Sequence, residues 1–398
     1  MNPTPAVCPA WLATLLQQAG GVVPFHQYMD WALFHPQHGY YSAGQVRIGP
    51  GGDFATSPSL SSDFADLLAK QLIALLRALP DDGTRLSLVE VGPGDGDLAA
   101  DLLQSIARRA SDLVDRLDLV LVERSPALRR RQQQRLAAAA DQHLPTPTVR
   151  WCSLEELAAA PVVGVVLAHE LLDAFPVDRI VLRDGQLALQ AVALQSDGTL
   201  AFQRLPLPES MAAAMAEVGL PLPPAEAEEG WCSEWHGSYR TWLQSLSKAV
   251  DHGVLLVIDY ALEAARYYAA RRSDGTLMAY QGGAAGLDPL ASPGAQDLTS
   301  HVCIDTLDAA AASQGWQRLD QRRQGEMVLA LGLAERLHDL QQLPPQQLPQ
   351  ALQRREALLR LVDPAGLGEF RWLLYGRGIQ CAGLSLQADP DSEGFRHA

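Results

Sequence analysis

Lysine is almost missing from this chain of 398 residues: of 31 basic side chains only Lys70 and Lys248 are lysines, and the rest are arginines. No basic block occurs, and 46 acidic residues leave a formal net charge of −15. Nucleic-acid binding without sequence preference relies on neutralising phosphates, so this balance argues against nucleic acid as the main partner. No run of about 18 apolar residues occurs, so no membrane-spanning helix and no membrane insertion are expected. Residues 1–21 contain no basic stretch and no small-residue cleavage pattern, so no secretory signal is expected. The five cysteines (Cys8, Cys152, Cys232, Cys303, Cys381) are widely spaced, with no C-x-x-C pair. That spacing argues against a zinc ribbon and a disulfide framework. It favours a reducing compartment, with the cytoplasm as the expected address.

What is present suits a large core. Hydrophobic residues make up 47% and charged residues 19%, the balance of a folded globular chain. Phe64, Leu67, Leu68, Gln71, Leu72, Leu75 and Leu76 follow helical spacing, which predicts a helix over 59–79. Apolar runs and helical stretches then alternate: strands at 86–92, 117–123, 147–151, 162–168 and 253–260, helices at 96–110, 126–140 and 154–159. Such alternation predicts βαβ units, hence an α/β fold with a doubly wound, mostly parallel Rossmann-like sheet. Asp184-Gly185 between two alternating runs predicts a hairpin. A helix is expected over 234–250, and residues 316–332 read as two strands joined at Gln324-Gly325. The expected organisation is an N-terminal helical arm (1–82), a core (83–175 with 240–332), an inserted hairpin unit (176–239) and a helical C-terminal extension (333–398).

The main chemical signal is LSLVEVGPGDGDLAADLL, a buried strand running into Gly92, Gly94 and Gly96 and then a helix. Glycines there let the backbone turn tightly against a ligand. The G-x-G-x-G spacing is one residue shorter than the dinucleotide fingerprint, which disfavours an NAD oxidoreductase. Glu90 precedes the turn, and Glu123 ends the second strand, where an acid can accept both ribose hydroxyls. The set fits S-adenosylmethionine (SAM), whose ammonium group gains from a carboxylate such as Glu90 or Asp53. Glu170 and Asp173 follow the fourth strand, at the carboxyl ends that line the crevice of an open sheet. Paired carboxylates there suit a guanidinium. His169-Glu170 lacks the second histidine of a zinc-protease helix. His35 and His38 have no third ligand near them, so no metal is expected. Trp231, Trp235 and Trp242 read as core.

These segments add up to a resemblance. GDFATSPSLSSDFADLLAKQL, LVEVGPGDGDLAADLL, LVERSP, LAHELLDAFPVDRI and LLVIDYALEAARYY occur in order, followed by GTLMAY, PGAQDLTSHV, QGEMVLALG and DPAGLGEF. Over about 24–386 the chain resembles the MidA-like family of class I SAM-dependent methyltransferases. The mitochondrial members of that family are complex I assembly factors that dimethylate an arginine. The resemblance implies cofactor contacts from Asp53, Thr56, Ser57, Glu90, Gly92, Gly94, Gly96, Glu123, Arg124, Ser153, Leu154 and His169. It implies an acceptor site at Glu170, Asp173 and Glu234, and a protein substrate, possibly a complex I-like NADH dehydrogenase subunit. The chain departs from the family at Cys152-Ser153, Ala261 and 281–285. A non-catalytic SAM-binding assembly chaperone and a small-molecule methyltransferase stay open beside this reading.

Overall fold

The computed structural model describes residues 7–44, 57–80, 83–141, 143–219, 222–286, 288–379 and 384–386. The expected cofactor residues Asp53 and Thr56 lie outside them.

Helix α1 (Ser62–Ala78) carries the apolar face read from its spacing, buried at Phe64, Leu67, Leu68, Leu72, Leu75 and Leu76. It starts later than expected because Ser61 stops the turn: its hydroxyl caps the helix, accepting from the Asp63 N–H at 3.1 Å. Seven strands form the central sheet: β1 (Leu86–Val91), β2 (Leu117–Val122), β3 (Thr148–Cys152), β4 (Val162–His169), β5 (Val250–Asp259), β6 (Gln317–Arg323) and β7 (Arg371–Arg377). Their spatial order is 3-2-1-4-5-7-6. Neighbours along β3-β2-β1-β4-β5 are parallel, and β7 runs antiparallel to β5 and β6.

The sheet is apolar on both faces, as a covered parallel sheet requires. Leu86, Leu88, Leu119, Leu256 and Trp372 face one core together with α1. The alternate residues Val89, Val91, Val120, Leu255 and Leu373 face a second core, which includes Tyr239 and Leu243 of helix Ser238–Ala249. Strand order reverses between β1 and β4, which leaves a crevice at their carboxyl ends, where open α/β sheets bind ligands.

A second, antiparallel sheet joins Val22–Pro24, Asp178–Arg183, Gln186–Leu194, Leu200–Pro206 and Cys232–Trp235. Helices Ala10–Gln18 and Phe25–Phe34 pack on it through Leu12, Leu16, Phe25 and Met29, against Val177, Val192 and Leu200. The arm expected over 1–82 therefore divides. Its first helices form one body with the insertion, because Val22–Pro24 adds a strand to it, while α1 belongs to the core.

Two further expectations change. Residues 324–330 form a helix instead of a second strand, since the Glu326 carboxylate accepts the Arg323 N–H at 3.2 Å and caps the turn. The strand that fills that place is β7, from the expected C-terminal extension. Glu234 lies in the strand Cys232–Trp235, and the helix begins only at Ser238.

Candidate functional site

The glycine turn leaves β1 at Gly92, Gly94 and Gly96, all with positive φ (69°, 54° and 87°). A Cβ at Gly92 would come within 2.6 Å of Leu171 Cδ1, so the turn packs directly on the loop after β4. Gly96 caps the next helix, α2 (Asp97–Arg109), and faces Gln132 of α3 (Pro126–Ala139). Gln132 ties the region together: its side-chain amide donates to Gly94 O at 2.8 Å and to Glu123 Oε2 at 3.2 Å. The turn opens on a cleft of about 1450 Å³, lined by Glu90, Gly92, Gly94, Glu123, Arg124 and Leu154 on one side.

Two carboxylates define the cofactor end. Glu90 is 4% exposed and its Oε2 has no partner; burial raises its pKa to about 8. Glu123 accepts from the Ser125 N–H at 2.7 Å as well as from Gln132. These bonds partly offset the rise that burial imposes on its pKa. Arg124 is exposed. Ser153 is not among the cleft residues: its hydroxyl caps helix Leu154–Ala158, accepting from Glu156 N–H at 3.1 Å. Leu154 and Glu155 reach the cleft in its place.

The other end is built by the loop after β4. Glu170 has a left-handed backbone (φ 46°), uncommon for a residue with a side chain. Its Oε1 accepts the Ser57 N–H at 3.0 Å. Asp259, at the end of β5 and fully buried, organises this loop: its Oδ2 accepts the N–H groups of Leu171, Leu172 and Asp173 at 3.0–3.3 Å. Burial lifts Glu170 to about 8; the Ser57 bond opposes the rise and the Asp173 charge adds to it. Asp173 is raised strongly by burial and by the charges of Asp259 and Asp297. Among the described residues no arginine or lysine forms an ion pair with Glu90, Glu170 or Asp173. His169 stays neutral, burial holding its pKa down to about 3.

Among the described residues, five buried polar atoms without hydrogen-bond partners belong to residues lining this cleft: Glu90 Oε2, His169 Nε2 (3.6 Å from Glu170 Oε1), Trp242 Nε1, Ser300 Oγ and His301 Nδ1. Buried polar groups are ordinarily satisfied, so these atoms leave polar capacity along the cleft. These groups fit SAM. The Glu90 carboxylate suits its ammonium group, Glu123 its ribose hydroxyls, and the Cβ-free turn its close approach.

Most expected site residues thus meet at one cleft. Glu234 does not. Fully buried, its Oε2 accepts from Tyr267 OH (3.1 Å), Thr276 N (2.8 Å) and Thr276 Oγ1 (3.0 Å), so it anchors the segment that brings Thr276 to the cleft. Gln132, Asp297 and Tyr41 carry no local signal of a site role in the sequence, although Asp297 lies within the PGAQDLTSHV segment. Trp242 departs from its expected core role by lining the cleft. His38 stacks on Trp11 and His35 lies tilted against it, with ring centroids 5.2 and 5.1 Å away.

Comparison with known proteins agrees with this geometry. Residues 67–321 match the model of a family described as "Putative S-adenosyl-L-methionine-dependent methyltransferase". The protein arginine methyltransferase NDUFAF7 homolog, mitochondrial, of Drosophila melanogaster is 30% identical over 92% of this chain and 84% of its own length. Its Caenorhabditis elegans counterpart is 25% identical over 91% and 85%. A Burkholderia thailandensis crystal structure bound to S-adenosyl-homocysteine superposes with a TM-score of 0.81 at 31% identity, covering 93% of this chain and 92% of that one.

The relatives correct one expectation. Both the fly and the worm protein are named as mitochondrial, which overturns the cytoplasmic address. Dispersed free cysteines report a reducing compartment, a broader class than the cytoplasm.

Proposed function

The chain belongs to this family of SAM-dependent methyltransferases, and on that premise we propose that it methylates an arginine side chain of a protein. The observation that carries the arginine reading is the pair Glu170 and Asp173, half-buried at the cleft without an arginine or lysine partner among the described residues. Carboxylates partly withdrawn from water gain from a cationic partner, and a guanidinium is the cation whose planar fork of donors suits the pair best. The fly and worm relatives are named arginine methyltransferases, in keeping with that chemistry.

SAM, when bound, supplies an electrophilic methyl carbon. The chain's part is to place the acceptor nitrogen in line with it and keep water away. Glu170 and Asp173 hold the guanidinium through charge-assisted hydrogen bonds. The nitrogen that gains the methyl group sheds a proton, which the Glu170 carboxylate accepts. Asp259 acts at one remove, fixing the loop that carries both acids. Within this reading, the acceptor protein implied by the family resemblance is a subunit of a complex I-like NADH dehydrogenase.

The test is transfer from methyl-labelled SAM into a lysate of cells lacking the protein. The expected result is label in a protein band with the natural chain, and none with Glu170→Gln although S-adenosyl-homocysteine affinity holds within about twofold. Equal labelling by Glu170→Gln, or label confined to small molecules, would sink the proposal.

A further inference from the structure

Asp297 is 1% exposed and lines the cleft beyond Glu170 and Asp173. It lies in strand Asp297–Thr299, opposite Tyr280 of strand Met278–Gln281, another cleft residue. The Tyr41 hydroxyl donates to its Oδ1 at 2.8 Å. Its charge raises the pKa of Asp173, which puts both carboxylates in one electrostatic neighbourhood. Ser300 Oγ and His301 Nδ1, a few residues along, are buried cleft atoms that lack partners.

Tyr41 comes from the N-terminal unit, just after helix Phe25–Phe34, and its ring stacks on Phe34 with centroids 5.6 Å apart. The same unit sets the segment leading to Asp297. The Tyr28 hydroxyl donates to Pro289 O at 2.7 Å, and Gly294 packs so closely on the His38 carbonyl that a Cβ has no room. A carboxylate hydrogen-bonded to a half-buried, stacked phenol keeps a fixed direction, which a planar guanidinium needs.

We propose that Tyr41 is a positioning residue for the methyl acceptor: through Asp297 it aims a third carboxylate, beside Glu170 and Asp173, at the acceptor guanidinium. The inference rests on the arginine reading above. It makes the N-terminal unit part of the acceptor site as well as a support for the second sheet.

The experiment uses the full chain, methyl-labelled SAM and the protein band labelled in the knockout lysate. Tyr41→Phe keeps the ring and its stacking while removing the donor. It should raise the KM for that acceptor about tenfold, with kcat within about twofold and S-adenosyl-homocysteine affinity unchanged. Asp297→Asn should raise KM at least as far; if it fails to fold, Tyr41→Phe alone decides. An unchanged KM in Tyr41→Phe overturns the proposal. So does loss of S-adenosyl-homocysteine binding in step with activity, which would mark a packing role. Absence of methylarginine in the wild-type reaction would remove the arginine reading and this inference with it. Arginine labelling that Tyr41→Phe leaves unaltered would remove the inference alone.

Discussion

Glu170 combines two costly features, a left-handed backbone and a buried carboxyl group whose pKa is raised to about 8. Below that pH the group is mostly neutral, whereas an arginine keeps its charge throughout. Acceptor binding must therefore displace a proton. The kcat/KM for acceptor is expected to climb with pH to about 8 and level off beyond, and the Glu170→Gln profile should be low and flat. Stability carries the opposite sign. The native state holds a proton that the unfolded chain releases above the ordinary value of 4.5. The ligand-free protein should therefore lose stability as pH rises from 4.5 towards 8, and denaturant titrations across that range would check it. The glycine turn gives a second prediction. Gly94 has φ 54° and lines the cleft. A valine there is strained and fills the cofactor's backbone channel, so Gly94→Val should abolish SAM binding in calorimetry. Normal affinity in that variant would move the cofactor site elsewhere. Glu90, Glu123, Glu170, Gly92 and Gly94 were legible as residues of the cleft because strand ends and glycine spacing advertise themselves locally. Tyr41, Gln132 and Asp297 were not, because their roles come from contacts across distant parts of the chain.

Elements with a strong local pattern were equally legible. The run LVLV in β2 and the spaced leucines of α1 each fit one structure, and their observed bounds lie within a few residues of those expected. QGEMVLALG was misread because a short apolar run fits a strand or a helix equally well, and only its capping glutamate discriminates. CSEW is four residues long, too short to announce a strand before the helix that follows. β7 escaped notice because two helices, Leu333–Gln341 and Leu348–Arg360, separate it from the rest of the sheet. It nevertheless pairs with both β5 and β6. Trp372 of β7 is fully buried, edge-on to Phe64 of α1 with ring centroids 6.5 Å apart. Trp372→Ala should cost about 3–5 kcal/mol in denaturant unfolding. Leu352→Ala, on the outer face of a neighbouring helix and 55% exposed, should change stability by under about 0.5 kcal/mol. Equal, small effects would put β7 outside the cooperative core.

The architecture as a whole sets the acceptor's chemistry. Exposed Asp30, Glu155 and Asp363 line the cleft along with its buried acids, and Arg124 and Arg360 are the arginines among the described lining residues. With a net charge of −15, the chain favours a basic approaching segment. Raising salt from about 50 to about 500 mM should therefore increase acceptor KM by about threefold or more, with a smaller effect on SAM affinity. A salt-independent KM would argue that long-range charge plays no part in recognition. The identity of the methylated residue decides whether the acceptor is an arginine. The protein band labelled by the wild-type chain would be hydrolysed and its amino acids separated. The label is expected to co-migrate with methylated arginine. Label on lysine, on a carboxyl group or on a small molecule would contradict it.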